Sequence, residues 1–302
     1  MKHPASIENT GRPLTLSGLA DEAADDIETQ INAHRELGWP AIELRLVDKQ
    51  GVTALLDDAA FDRVVEHIQA AGLQVTALAS AIGNWSRPIT GDFGIDLAEL
   101  SSAIPRMRRL GTRCLRTMSW KKDGAADDAW RDEAIRRYRH LARIAADAGI
   151  MLMHENCEGW AGQSARHTRE FLERVNSDHV GVLFDIGNTI SHCQEPWEYY
   201  AGVKPLIGYI HIKDCRRNPA GGRSEDFTHA GEGDAMVARI LEDLVKSGYR
   251  GVAAIEPHIA SVIHQGGART VTDAERYRSY IEYAQRAERL IGQLAPAKPG
   301  SG

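Results

Sequence analysis

MLMHE at 151–155, GVLFD at 181–185, GYIHIKD at 208–214 and GVAAIE at 251–256 share one construction: a short apolar run that ends on residues able to bind a metal. Runs of this length, separated by amphipathic stretches, read as consecutive parallel strands. If these strands belong to one barrel, their C-terminal ends converge, and Glu155, Asp185, His211 and Glu256 meet at a single point. Three carboxylates and one imidazole form a hard divalent-cation site, so a metal-dependent enzyme is expected.

The same alternation extends over the chain. Strands are expected at Leu14–Gly18, Ala41–Val47, Gln74–Ser80, Cys114–Trp120, Ile150–Asn156, Val180–Asp185, Ile207–Lys213 and Gly251–Glu256. Between and after them, segments such as FDRVVEHIQAAG (61–72), ARHTREFLERVN (165–176) and DAMVARILEDLVKSG (234–248) carry apolar residues at helical spacing, several ending at glycine. Eight such units predict a single (β/α)8 TIM barrel of the α/β class; no GxGxxG follows the first strand, as a dinucleotide-binding sheet would require. One domain covers 1–302, with short polar tails at about 1–13 and 295–302. The longest connection, Arg216 to Gly233, is expected to be a lid or binding loop, with a plain surface insertion as the alternative.

A net charge of −6 opposes nucleic acid and anionic membrane as partners. The start, MKHPASIENTGRP, lacks the apolar core of a secretory signal, and no apolar stretch is long enough to span a bilayer, so a cytoplasmic protein with a small-molecule partner is expected. Cys114, Cys157, Cys193 and Cys215 have no CxxC spacing and read as reduced thiols. Cys157 and Cys215 fall near the proposed site as small packing residues rather than ligands.

Strand alternation assigns faces. In AIELRLV, Ile42, Leu44 and Leu46 share the helix-facing side, which puts Glu43 and Arg45 in the lumen, either as a self-satisfying salt bridge or as substrate contacts. Glu155 shares its face with Met151 and Met153, His211 with Lys213, and Glu256 with His258, while His154 and Asp214 should point away from the lumen. The donor set favours Mn2+, with Mg2+, Co2+ or Zn2+ as alternatives. A cation chelated by adjacent carbonyl and hydroxyl oxygens makes the neighbouring C–H acidic, and Glu155 and Glu256, from different parts of the rim, could take and return a proton.

SGLADEAADDIETQI (17–31), ELGWPAIELR (36–45), LMHENCEGW (152–160), GVLFDIGNT (181–189), HAGEGD (229–234) and AAIEPH (253–258) resemble the sugar phosphate isomerase/epimerase family, the xylose-isomerase-like TIM barrels. The resemblance runs from about Leu14 to Leu294. It implies one Mn2+ or Co2+ on Glu155, Asp185, His211 and Glu256, with the two glutamates as the acid/base pair. Ketose 3-epimerases of this superfamily also place a histidine three residues after the aspartate and an arginine six after the histidine against substrate; this chain has Asn188 and Arg217 there. Inosose dehydratases and lyases acting on 3-keto-glycosides, C-glycosides included, share the enolate step and need a further acid or base, for which His154, Lys213, His229 and His258 are candidates. Trp160 could stack on a sugar or cover the barrel mouth.

The leading expectation is a sugar or keto-sugar isomerase or epimerase, with a lyase or dehydratase on a keto-sugar, inosose or 3-keto-glycoside as the alternative. A homo-oligomer or a partner subunit is open. A DNA-repair nuclease of the related fold is disfavoured by Asn188 and by the acidic balance. A non-catalytic sugar sensor is disfavoured because the whole ligand set is present. In GEGD, Glu232 and Asp234 would repel phosphate, and Asp234 is expected to cap the following helix.

Overall fold

The computed structural model describes residues 14–260 and 271–294, so the polar tails expected at 1–13 and 295–302 lie outside the described residues. Eight parallel strands alternate with helices: β1 Thr15–Gly18, β2 Ala41–Leu44, β3 Gln74–Ala79, β4 Cys114–Ser119, β5 Met151–Gly159, β6 Val180–Asp185, β7 Ile207–Ile212 and β8 Val252–Ile255. They pair in the order β1-β8-β7-β6-β5-β4-β3-β2, and a parallel bridge from Leu19 to Glu43 joins the two ends of the sheet. The barrel is thereby nearly closed, as a (β/α)8 chain requires.

The longer helices are α1 Ile27–Glu36, α2 Asp58–Ala71, α3 Gly94–Leu110, α4 Asp127–Ala148, α5 Ala165–Val175, α6 Pro196–Val203, α7 Val237–Lys246 and α8 Asp273–Leu294, and one further turn of helix spans Asn188–Ser191. Local chemistry sets their starts: Asp26, Asp57 and Ser164 each accept a hydrogen bond from the backbone N–H three residues on. Their apolar stripes pack on the outer strand faces, where Ile42, Leu78, Leu115 and Leu152 form one region of core and Val182, Phe184, Ile210 and Ile255 another.

Inside the barrel, Ala77, Cys114, Met153, Leu183, Tyr209 and Ala254 form a separate buried plug. With a period of two, the next inward side chains on β5 to β8 are Glu155, Asp185, His211 and Glu256. The apolar plug is therefore the floor on which these polar groups stand.

Two local expectations are corrected. The strand expected over Ala41–Val47 ends at Leu44; Leu46–Val47 turns back to pair with Gln50–Gly51, and Asp48 and Lys49 between them take positive φ of 50° and 63°. Such a turn matches the twist of a two-residue hairpin. Asp234 does not cap α7. Its carboxylate accepts from Arg217 N (2.7 Å), and α7 follows Met236, whose backbone is left-handed. The GEGD backbone instead wraps Asp214, which accepts from the N–H groups of Gly231, Gly233 and Ala235 at 2.8–3.1 Å. A Cβ at position 233 would stand 2.7 Å from Asp214 Cγ and 2.8 Å from the Cys215 carbonyl oxygen, so only glycine fits there. These amides are spent on an internal carboxylate, which leaves no phosphate cradle.

Candidate metal centre and active site

One ligand atom from each of Glu155, Asp185, His211 and Glu256 lies within 4.8 Å of all the others, and the four residues are buried. The β6–β7 register pairs Asp185 with His211, and Asn156 clamps Asp185 by donating to its carbonyl oxygen (2.9 Å) and accepting from its amide (2.7 Å). Backbone hydrogen bonding thus fixes the relative height of the ligands.

His211 bears on what the cluster could hold. Its Nε2 faces both Glu43 oxygens at 3.1 and 3.2 Å, whereas its buried Nδ1 makes no hydrogen bond and faces Glu256 Oε2 at 3.6 Å and Glu155 Oε1 at 3.8 Å. With Nε2 held by Glu43, the atom left aimed between two carboxylates is Nδ1, which keeps a proton while the imidazole is charged and would offer its lone pair to a cation that displaces that proton. An orphaned imidazole nitrogen among oxygen donors fits a divalent cation.

The electrostatics agree. Burial raises Asp185 to about 7 against the pull of Lys213, with Glu256 and Glu155 adding to the rise. Burial opposes charge on His211, yet Glu43 and Glu256 outweigh it and hold the imidazole at about 10. Glu256 stays well below the usual carboxylate range despite burial, because Lys213, His258, His211 and Arg45 surround it. The buried carboxylates crowd Asp185 and hold His211 charged, a crowding that a divalent cation would relieve.

Lys213 lies 2.7 Å from Asp185 Oδ2 and 2.8 Å from Glu256 Oε2. Arg45 Nη1 donates to Glu256 Oε1 (2.7 Å) and its Nε to Asp21 Oδ2 (2.8 Å), so it reaches the site without pairing with Glu43. Arg116 Nη1 donates to Glu155 Oε2 (3.1 Å) and Asn188 Nδ2 to Glu155 Oε1 (3.2 Å). Above them opens a pocket of about 460 Å3 onto which Glu155 and Glu256 face, while Asp185 and His211 are fully covered beneath. Arg45, Asn188, Lys213 and His258 line the same pocket.

Other sequence-derived candidates fall elsewhere. Glu43 is fully buried below His211, where it also accepts from the Tyr209 hydroxyl (2.7 Å), so its contact is with a ligand rather than with the pocket. His154 faces the helix layer between the Tyr138 and Phe171 rings, where burial lowers it to about 3. Trp160 is buried against His167, outside the pocket lining. Arg217 follows the first strand of a hairpin formed by Asp214–Arg216 and Asp226–Thr228, pairs with Glu195 (2.9 Å) and is absent from the pocket lining. His229 packs against Tyr283. Of the thiols, Cys157 lines the pocket, Cys114 and Cys215 are buried and Cys193 is exposed.

Three neighbours of the cluster carried weaker signals. Asp21 and Glu22 follow β1 directly and anchor Arg45, and Glu22 also accepts from His258 N (2.7 Å). Arg116 is a charged residue on the inward face of β4, a position readable by the parity that marked Glu43.

A family model for xylose isomerase-like TIM barrels matches residues 31–283. The chain belongs to this family. An inosose dehydratase of Lacticaseibacillus casei is 25% identical over 142 residues, which are 43% of this chain and 47% of that protein. The uncharacterized protein MJ1311 of Methanocaldococcus jannaschii is 30% identical over 120 residues, 38% of this chain and 40% of that protein. The matched stretches thus span less than half the length of these curated relatives. Among solved structures, an IOLI protein with a bound zinc atom superposes with a TM-score of 0.72, with 17% identity over 93% of this chain and 98% of the other. The family's fold is the one the strand pattern implied, and among the described residues no helix is long and apolar enough to cross a membrane.

Proposed function

We propose that this chain is a metal-dependent enzyme that removes a proton next to a carbonyl of a neutral sugar, keto-sugar or cyclitol, with epimerisation or isomerisation as the outcome. The observation that carries this reading is the split of the ligand set. Glu155 and Glu256, on the outermost two of four consecutive strands, face the pocket, while Asp185 and His211 form the base beneath them. Glu155, Asp185, His211 and Glu256 would hold the cation, with Mn2+ favoured and Mg2+, Co2+ or Zn2+ compatible with the same donors. When bound, it supplies Lewis acidity toward adjacent substrate oxygens.

The remaining chemistry belongs to the side chains. Glu155 and Glu256 approach the substrate carbon from opposite sides, one accepting the proton and the other returning it. Lys213, Asn188 and Arg116 donate to substrate oxygens and keep the negative charge of the enediolate in place. Arg45, fixed by Asp21 and Glu22, holds the Glu256 carboxylate in position. The substrate is a small molecule of the cytoplasm.

Elimination of a β-substituent is the second reading, and one observation favours it. His258 pairs with Glu22 (2.8 Å) and places Nε2 3.8 Å from Glu256 Oε1, a further proton-carrying group beside the acid/base residue. Incubation with candidate keto-sugars and inososes in D2O with Mn2+ tests both. Deuterium in recovered epimer supports the first, release of water or an aglycone supports the second, and absence of both with every metal refutes the proposed chemistry.

A further inference from the structure

Each of the four candidate ligands offers one atom to a common centre, and the remaining carboxylate oxygens are taken from outside it. His211 Nδ1 faces Glu256 Oε2 at 3.6 Å and Glu155 Oε1 at 3.8 Å. The other oxygens have fixed partners: Glu256 Oε1 accepts from Arg45 Nη1 (2.7 Å), Glu155 Oε2 from Arg116 Nη1 (3.1 Å) and Asp185 Oδ1 from the Asn188 amide (2.9 Å). Lys213 breaks this division. Its Nζ donates to Glu256 Oε2 (2.8 Å) and stands 2.7 Å from Asp185 Oδ2, a buried oxygen that has no aligned hydrogen bond. Of Arg45, Arg116 and Lys213, the lysine alone is set against the inner oxygens. A Cβ at position 187 would lie 2.6 Å from Lys213 Cγ and 2.8 Å from its carbonyl carbon, so the glycine two residues after Asp185 leaves the lysine stem its space.

A divalent cation bound to Asp185 Oδ2 and Glu256 Oε2 would lie within a few ångströms of Nζ, where two positive charges in a buried site repel strongly. Lys213 also lines the pocket, and its flexible four-carbon stem lets the ammonium turn that way. We propose that Lys213 is a resident counter-ion of the metal centre: it holds Asp185 and Glu256 together, competes with the cation for their inner oxygens, and is displaced by it toward the pocket. The lysine is then a positioning residue that sets how tightly the centre holds its metal, and it becomes a donor to substrate oxygens only once the metal is in place. This rests on the reading of Glu155, Asp185, His211 and Glu256 as ligands, and it deepens that reading by naming the group the cation replaces.

Chelator competition with Mn2+ on the wild type, Lys213→Met and Lys213→Arg tests it. Methionine keeps most of the stem and removes the charge, so this variant is expected to bind Mn2+ at least about tenfold more tightly, the worth of a unit charge a few ångströms from a divalent ion even at the dielectric constant of water. Lys213→Arg keeps the charge and should show no gain. Thermal melts separate competition from packing: Lys213→Met should melt below wild type in chelator and at least as high with Mn2+, whereas loss of a merely structural lysine would lower both melts alike. If Lys213→Met folds only with metal, its affinity is read from the loss of Mn2+ from the loaded protein into chelator. Reductive methylation with formaldehyde, mapped by mass spectrometry, reads the displacement in the wild type, where Lys213 should be labelled faster with Mn2+ bound. Unchanged or weaker Mn2+ binding by Lys213→Met overturns the proposal, as does an equal gain in Lys213→Arg or labelling of Lys213 that Mn2+ leaves unchanged or slows. Absence of binding to wild type and variants alike overturns the metal centre with it. A gain in affinity without deuterium exchange into keto-sugars upholds the inference and removes only the proposed chemistry.

Discussion

Replacing Glu43 by alanine should weaken metal binding although Glu43 touches neither metal nor pocket. Its carboxylate is fully buried, holds His211 Nε2 at 3.1 and 3.2 Å and accepts from Tyr209 (2.7 Å). Losing it frees the imidazole to rotate or to protonate at Nδ1, and it removes the charge that makes the ring a stronger donor. Partners of this kind are typically worth about 10- to 100-fold in affinity, or about 1.4–2.8 kcal/mol. Glu43→Gln retains an oxygen to accept from Nε2 and should fall between wild type and alanine, while the Tyr209 hydroxyl keeps its contact with Thr76 (2.8 Å). Chelator competition with Mn2+ and Zn2+ measures the change, and thermal melts in chelator separate it from a folding defect. Wild-type affinity in a folded Glu43→Ala protein would refute the claim that Glu43 sets the His211 tautomer.

Three further outcomes are expected. Glu155→Gln and Glu256→Gln, each assayed at saturating metal, should lower turnover by at least about 10²- to 10⁴-fold while leaving circular dichroism unchanged; near-normal turnover in either excludes that residue from proton transfer. His34 and His154 are buried and lowered by burial to about 4 and about 3. Both are neutral in the fold but titrate near 6.5 when unfolded, so this stability is complete above pH 6.5 and is lost as pH falls. Urea titrations should show about 3 kcal/mol lost by pH 5.5 from the two together, and His154→Leu should remove about half of that slope. Gly233→Ala should cost about 1–3 kcal/mol, because its Cβ would press on Asp214 and the Cys215 carbonyl; an unchanged melting temperature would contradict that packing.

The apolar runs of the second half of the barrel disclosed the fold and the clustering of the four candidate ligands, because period-two alternation and strand-end position are local properties. β6 has the bounds its sequence implies, and Met153, Leu183, Tyr209 and Ala254 lie under the ligands as parity requires. What was less legible depends on groups distant in sequence. Glu43 and Arg45 share the inward face, but the partners that separate their roles come from β7 and from the turn after β1. The Asp48–Lys49 turn lacks the usual Asn-Gly or Asp-Gly signal, which hid the end of β2. Arg217 was placed at the site by resemblance, yet the hairpin that carries it turns the side chain to Glu195.

Anomalous diffraction from crystals grown with Mn2+ or Co2+ would locate a bound cation among these side chains. One peak is expected within about 2.0–2.3 Å of an atom from each of Glu155, Asp185, His211 and Glu256, with His211 bound through Nδ1. A cation seated elsewhere, or one that leaves any two of these residues outside its coordination sphere, would contradict it.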